Sequence, residues 1–209
     1  MNFLIIEVHL IILPNRWNIT PLKIKNILKK NNNKKYGLIP LYFTSDFEDN
    51  ELRICFQVKN LQTLEKFIID RLLKISGIQS IRVRLTLNGK IFPEGIKQFV
   101  IENSNLISIH VFLGVNPKWM KNVWGSLNRL KSKWDVFPTW IFRDFYDYNR
   151  DITLRIIGKD LKDIKRYIDT QINTIKGITS MKFKIMQSIT RLLSKKTLLK
   201  IAEEWIKKY

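Results

Sequence analysis

The chain has 209 residues, 45% hydrophobic and 11% aromatic, enough apolar material for one large or two small folded domains and too much for wholesale disorder. Its 37 Lys and Arg stand against 18 Asp and Glu, a net charge of +19. The single cysteine, Cys55, excludes an internal disulfide and a cysteine-based metal site, and no segment reaches the ~18–20 unbroken apolar residues of a membrane helix.

In chain order, residues 1–14 are apolar but carry Glu7 and His9, with no basic lead and no small-residue cleavage site. They read as a strand, not a secretory signal, and a cytoplasmic location with no membrane partner is expected. Ile6, Val8, Leu10 and Ile12 alternate against Glu7 and His9, the pattern of a half-buried strand. Thr20 and Pro21 open a helix carrying Leu22, Ile24, Ile27 and Leu28. Strands follow over 38–43 and 52–58. Leu61, Leu64, Ile68, Leu72 and Ile75 then form an amphipathic helix ended by Gly77. Ile81, Val83 and Leu85 make the last strand.

The same order returns after a shift of 100 residues. Lys59, Leu61, Ile68, Ile75, Gly77, Ile78 and Ser80 fall on Lys159, Leu161, Ile168, Ile175, Gly177, Ile178 and Ser180. With small offset changes His9 falls on His110, Trp17 on Trp119, Pro40 on Pro138 and Tyr42 on Trp140. The second unit is read as strands near 106–113, 136–142, 152–157 and 180–186, with helices near 118–132 and 161–175. The expectation is an α+β protein of two tandem ferredoxin-like βαββαβ units: unit one 1–95, unit two 104–189 and a C-terminal amphipathic helix 190–209. Asn88-Gly89, Pro93, Gly95 and Asn103-Ser104-Asn105 read as the linker.

On each sheet the face without helices needs an occupation. Unit one places Glu7, His9, Arg53, Cys55, Gln57, Arg82 and Arg84 there, and unit two Ser108, His110, Phe112, Thr153, Arg155, Lys182 and Lys184. Tyr42 and Trp140 occupy matching positions. Three occupations compete: sheet-to-sheet packing around a polar cavity for a small anion, a nucleic-acid platform of cations and aromatics, and a protein interface or homo-oligomer contact. The RNA-recognition signature is missing: the third strand reads Arg53-Ile54-Cys55-Phe56-Gln57-Val58, and its copy Thr153-Leu154-Arg155-Ile156-Ile157-Gly158 has no aromatic residue. The ligand or nucleic-acid candidates are therefore His9, Tyr42, Arg53, Arg82, Arg84, His110, Trp140, Arg155, Lys182 and Lys184. No catalytic group, metal site or cofactor is assigned.

A helix, then Ile75-Ser76-Gly77-Ile78-Gln79-Ser80 or Ile175-Lys176-Gly177-Ile178-Thr179-Ser180, then a strand resembles the effector-sensing domain of the leucine-responsive regulator/AsnC family. That resemblance implies a ferredoxin-like domain that pairs sheet to sheet, senses a small-molecule effector and regulates transcription. The family's glycine-rich turn is replaced by Asp46-Phe47-Glu48-Asp49 and Asp144-Phe145-Tyr146-Asp147, and no helix-turn-helix precedes the first strand.

Other features have plain readings. The two Asp-Phe-x-Asp segments suit hairpin turns better than a hard cation. The six tryptophans suit core packing better than a partner surface. The Lys29–Lys35 run is a solvated loop before it is a phosphate contact, and biased Lys/Asn/Ile composition accounts for part of the charge. Cys55 is a small strand residue. The expected function is a non-enzymatic tandem sensor. A basic RNA- or DNA-binding protein comes second. A duplicated ferredoxin-like ribonuclease processing CRISPR RNA, with a histidine as base, comes last because no glycine follows Gly177.

Overall fold

The computed structural model describes residues 4–29, 37–46, 50–101, 106–144, 151–186 and 188–208. The Asp-Phe-x-Asp turns, most of the lysine run and Asn103-Ser104-Asn105 lie outside them. Among the described residues there are nine strands and six α-helices. The strands are β1 (Leu4–Ile12), β2 (Leu38–Asp46), β3 (Glu51–Val58), β4 (Ile78–Ile91), β5 (Ile107–Val115), β6 (Phe137–Asp144), β7 (Ile152–Gly158), β8 (Ile178–Met186) and β9 (Ser188–Arg191). The helices are α1 (Thr20–Lys29), α2 (Leu61–Phe67), α3 (Pro93–Ile101), α4 (Met120–Leu127), α5 (Leu161–Tyr167) and α6 (Lys195–Lys208). This is the α+β plan of a ferredoxin-like duplication. No helix among the described residues is long and apolar enough to cross a membrane.

Two compact units divide the chain, Met1–Thr86 with Gln187–Ser194 and Leu87–Met186 with Lys195–Tyr209. The first unit's sheet runs β4-β1-β3-β2-β9, every paired register being antiparallel. The second runs β8-β5-β7-β6, with the end of β4 beside β6. No closed barrel forms among the described strands.

Alternation decides the layers. Ile6, Val8, Leu10 and Ile12 on β1 and Leu52, Ile54, Phe56 and Val58 on β3 point one way. They form one core with Ile24, Leu28, Leu64, Phe67 and Leu72 of the helical layer. Phe56 and Phe67 meet edge to face at 5.7 Å, a preferred aromatic geometry. The second unit repeats this with Val111, Leu113, Leu154, Ile156, Val123, Leu127, Ile164 and Tyr167. Each such fully buried side chain contributes about 1.5–3 kcal/mol by leaving water.

The duplication extends to its irregularities. Asn60 and Asp160 cap α2 and α5 through their side chains, accepting from Thr63 N (3.0 Å) and Lys162 N (2.6 Å). Both helices then widen into a π turn, Ile68–Leu72 and Ile168–Ile172. Leu73 N donates to Ile68 O and Asn173 N to Ile168 O, each at 2.9 Å. Gly77 and Gly177 follow at φ 100° and 107°, a region closed to most side chains. Their carbonyls accept from Leu13 N and Asn116 N, both at 2.9 Å.

Several expectations need correction. The predicted linker is the end of β4 plus α3: Asn88-Gly89 does not turn the chain but continues the strand. Pro93 opens α3, and Ile96, Phe99 and Val100 are its buried side. The helix near 118–132 is shorter, a 3₁₀ turn at Pro117–Trp119 and then α4. Thr190 lies in β9, opposite Phe43, not in the final helix. Thr20 does not cap α1; its hydroxyl donates to Ser76 O at 3.1 Å.

The repeat register shifts as well. Leu4 pairs with Val58 and Ile107 with Gly158, so β1 matches β5 at an offset of 103, not the 101 that joins the two histidines. Glu7 is the counterpart of His110, and His9 of Phe112. Gly77 abuts Arg16 and Thr20, while Gly177 abuts Trp119 and Val123, so Trp119 answers to Arg16 and not to Trp17.

A methyl group at Gly77 would collide with Thr20 Oγ1, and one at Gly177 with Trp119 Cβ. Gly77→Ala and Gly177→Ala should each cost about 1–3 kcal/mol, read as a lower urea midpoint at unchanged slope. No loss of stability, or a gain of the kind an exposed helical Gly→Ala brings, would refute the strained-cap assignment.

Candidate functional site

Pairing brings the predicted face of the first unit together. His9 lies opposite Arg53 on β3 and Arg82 on β4; Glu7 lies opposite Cys55 and Arg84. Tyr42, set by a bulge between Pro40 and Tyr42, lies opposite Cys55. Both faces of β3 are buried along its whole length, so this face is not an open surface. Within it His9 Nδ1 donates to Glu51 Oε1 at 2.7 Å. Arg53 grips the other carboxylate oxygen, with Nε at 2.7 Å and Nη2 at 2.6 Å. His9 Nε2 lies 3.5 Å from Glu7 Oε2, and the Tyr42 hydroxyl lies 3.5 Å from Glu7 Oε1.

Burial alone would raise the Glu51 pKa. The His9 hydrogen bond and the Arg53 charge outweigh it and hold the carboxyl at about 2. Glu51 therefore stays ionised at any physiological pH. An ionised acceptor on Nδ1 fixes the tautomer that leaves Nε2 as the basic nitrogen. Chemically, the arrangement is an imidazole oriented by a carboxylate that is itself held by a guanidinium. Arg82 is exposed and Arg84 half-buried at the β4 edge.

The second unit places a different group on its matching face. His110 lies opposite Arg155 and Lys184, and Phe112 opposite Thr153 and Lys182. Trp140 pairs with Arg155 through a bulge like the one at Tyr42. Arg155 is wholly buried. Its Nε donates to Ser108 Oγ at 2.8 Å, and its guanidinium lies 4.4 Å from the ring centroids of both Phe99 and Trp140, two cation–π contacts with rings that meet edge to face at 6.0 Å. His110 meets Phe112 and Trp140 edge-on at 6.1 and 6.4 Å. Burial lowers the Lys184 pKa, and Lys182 is exposed.

The two predicted clusters are therefore assembled, but as an ionic network in one unit and an aromatic-cation nest in the other. Glu51, Ser108 and Phe99 were not among the candidates. Glu51 shares strand parity with Arg53, which puts both on one face. Phe99 was hidden by reading α3 as linker. Among the described residues no group of three or more His, Cys, Asp or Glu could hold a metal.

Glu51→Gln should lower stability at pH 7 by about 3 kcal/mol. A depressed carboxyl stabilises the fold above its unfolded pKa and ceases to do so as pH falls through the folded one. The deficit should thus shrink between pH 4.5 and 2, seen by guanidinium unfolding at pH 7 and pH 3. A deficit independent of pH would contradict the ionised, buried Glu51. Phe99→Ala should cost about 3–5 kcal/mol, read as a lower melting temperature and faster amide exchange in α3 and β6. Exchange faster only in α3 would mean that the Phe99–Arg155–Trp140 cluster does not tie the helix to the sheet.

No protein-family model matches the chain, and no curated protein sequence matches it. Solved structures do. A Lactobacillus acidophilus protein provisionally named a monooxygenase aligns at a TM-score of 0.54 with 11% identity, covering 92% of this chain and 97% of its own. Chlorite dismutase from Candidatus Nitrospira defluvii aligns at 0.53 with 10% identity, over 96% of this chain and 94% of its own. An anthrone oxidase-like protein aligns at 0.51 with 9% identity, over 92% and 94%. At such identities the likeness is one of fold. It overturns the resemblance to the leucine-responsive regulator/AsnC effector domain, because the neighbours are named for enzymes of the chlorite dismutase and monooxygenase kind. The Gly-Ile-x-Ser motif misled because it is a positive-φ helix cap, needed by a ferredoxin-like unit whatever its function. The reading as a non-enzymatic sensor, transcription regulator or nucleic-acid binder falls with it. Arg53 and Arg155, offered as phosphate contacts, are buried and engaged by Glu51 and by two aromatic rings.

Proposed function

We propose that the chain is an oxygenase- or oxidase-type enzyme in which His9 is the proton-accepting group. The observation that carries this reading is the His9–Glu51–Arg53 network, an imidazole aligned by a carboxylate that is itself pinned by a guanidinium. The names of the fold neighbours, a monooxygenase, a chlorite dismutase and an anthrone oxidase-like protein, agree with the class.

Haem is the group this enzyme-like fold implies, and it requires an axial side chain, commonly histidine. His9 and His110 are the two histidines of the chain; each is 1% exposed, and His9 Nδ1 is already held by Glu51. Glu7 also stands 3.5 Å from His9 Nε2, where a metal would sit at ~2.0–2.1 Å. The residues present do not fit a histidine-held haem, and no step is routed through one.

An oxygenase without a bound redox group must activate its substrate. Removing a proton from an acidic C–H or phenolic O–H gives an anion that can transfer an electron to dioxygen. His9 Nε2 is the base of that step, ionised Glu51 stabilises the imidazolium, and Arg53 holds Glu51 in place. Arg53 and Arg82 both lie opposite His9; Arg53 is held by Glu51, so the exposed Arg82 is the cation offered to a developing phenolate. With His9 so buried, the reading requires this face of the sheet to open when substrate enters.

Oxygen uptake with an anthrone-type phenol as probe tests it. His9→Ala should lower kcat about 10²–10⁴-fold and Glu51→Gln should lower it while shifting the pH profile, whereas His110→Ala should leave the rate unchanged. Equal losses for both histidines, or no uptake by the folded wild type, would discard the assignment.

A further inference from the structure

The second unit carries an open cleft of about 440 Å³ between α4 and the residues before Gly177. Asn122, Ser126 and Arg129 line it at helical spacing, with Lys121 and Gly125 one turn apart beside them. Val123 and Leu127 on the opposite side of α4 are buried in the core, so the polar stripe cannot be turned inward. Trp119, Ile175 and Lys176 complete the wall, and Lys176 Nζ sits 4.6 Å from the Trp119 ring centroid. Three cations line it, and none of the lining residues is acidic.

Gly125 makes the space. A Cβ there would meet nothing within 4 Å, although glycine inside a helix costs roughly 0.5–1 kcal/mol relative to alanine. The duplicated unit shows what the alternative looks like. By the offset that matches Trp119 to Arg16, Gly125 corresponds to Leu22 and Asn122 to Ile19, both exposed apolar residues at 60% and 47%. Lys121, Ser126 and Arg129 correspond to Asn18, Lys23 and Asn26, so a leucine side chain stands in the first unit where the second has the bare glycine of the cleft.

We propose that this cleft binds a small organic phosphate carrying a planar ring, with Lys121, Arg129 and Lys176 on the phosphate and Trp119 against the ring. Its volume falls in the range of about 300–1,000 Å³ usual for small-molecule sites. The site is separate from the His9 network, and its test does not depend on turnover.

The probe is adenosine 5′-monophosphate, titrated at 0.15 M salt and followed by tryptophan fluorescence and calorimetry. The expected dissociation constant is below about 1 mM, with adenosine lacking the phosphate binding at least tenfold more weakly. Lys121→Gln/Arg129→Gln should weaken binding tenfold or more. Gly125→Leu should do the same without lowering the melting temperature, because it fills the cleft and favours helix. Lys162→Gln/Lys165→Gln removes equal charge from the exposed face of α5 and should leave the affinity unchanged. If that control weakens binding as much as the cleft variant, the contact is generic attraction to the net charge. That result, or no saturable binding, would overturn the proposal.

Discussion

An arginine buried at the centre of each sheet's helix-free face is the constraint around which the rest is arranged. A guanidinium cannot lose its proton and cannot sit in a low-dielectric interior without partners. In the first unit Arg53 is answered by Glu51 at 2.6 Å. That pairing fixes Glu51, which in turn fixes His9. In the second unit no carboxylate faces Arg155 across its pairings, and two aromatic rings with the Ser108 hydroxyl take that role. One ring, Phe99, comes from α3, so the same side chain that solves the electrostatic problem also docks a helix.

The two solutions are what duplicated units reach when only their backbone plan is held in common. The cap glycines, the π turns and the bulges before Tyr42 and Trp140 recur at matching positions because each is a backbone requirement that a sequence must satisfy. The side chains on the helix-free face carry no such requirement. Glu7 corresponds to His110, His9 to Phe112 and Cys55 to Arg155. Charge and aromaticity differ between matching positions, and in the first unit the His9 imidazole is backed by an ionised carboxylate.

Much of this was legible in the chain. Strict alternation in β1 and β3, helical spacing in α2 and α5 and the paired Gly77 and Gly177 identified both βαββαβ units, because strand and helix periods are direct consequences of burial on one side. The face shared by His9, Arg53, Arg82 and Arg84 followed from parity alone. Three things were not legible. The histidine equivalence failed because identity between rare residues is a weaker guide than register, which the strand pairing determined. The linker reading failed because Asn88-Gly89 is a turn signal only where the chain has no partner strand, and here the end of β4 lies beside β6. The regulatory reading failed because a helix-capping motif reports the fold and not the chemistry built on it.

Net charge shows the same limit from another side. A total of +19 treats every cation alike, yet Arg53 and Arg155 are already neutralised or enclosed inside the protein and offer nothing to an external anion. What attracts a ligand is the local field where cations converge without a matching acid, strengthened where the surface is concave. Along α4 the buried side chains Val123 and Leu127 fix the helix rotation, which leaves Lys121, with Arg129 just past the helix end, lining the same cleft as Lys176. The core thus dictates where the surface charge gathers, and the glycine between the cations keeps that surface hollow.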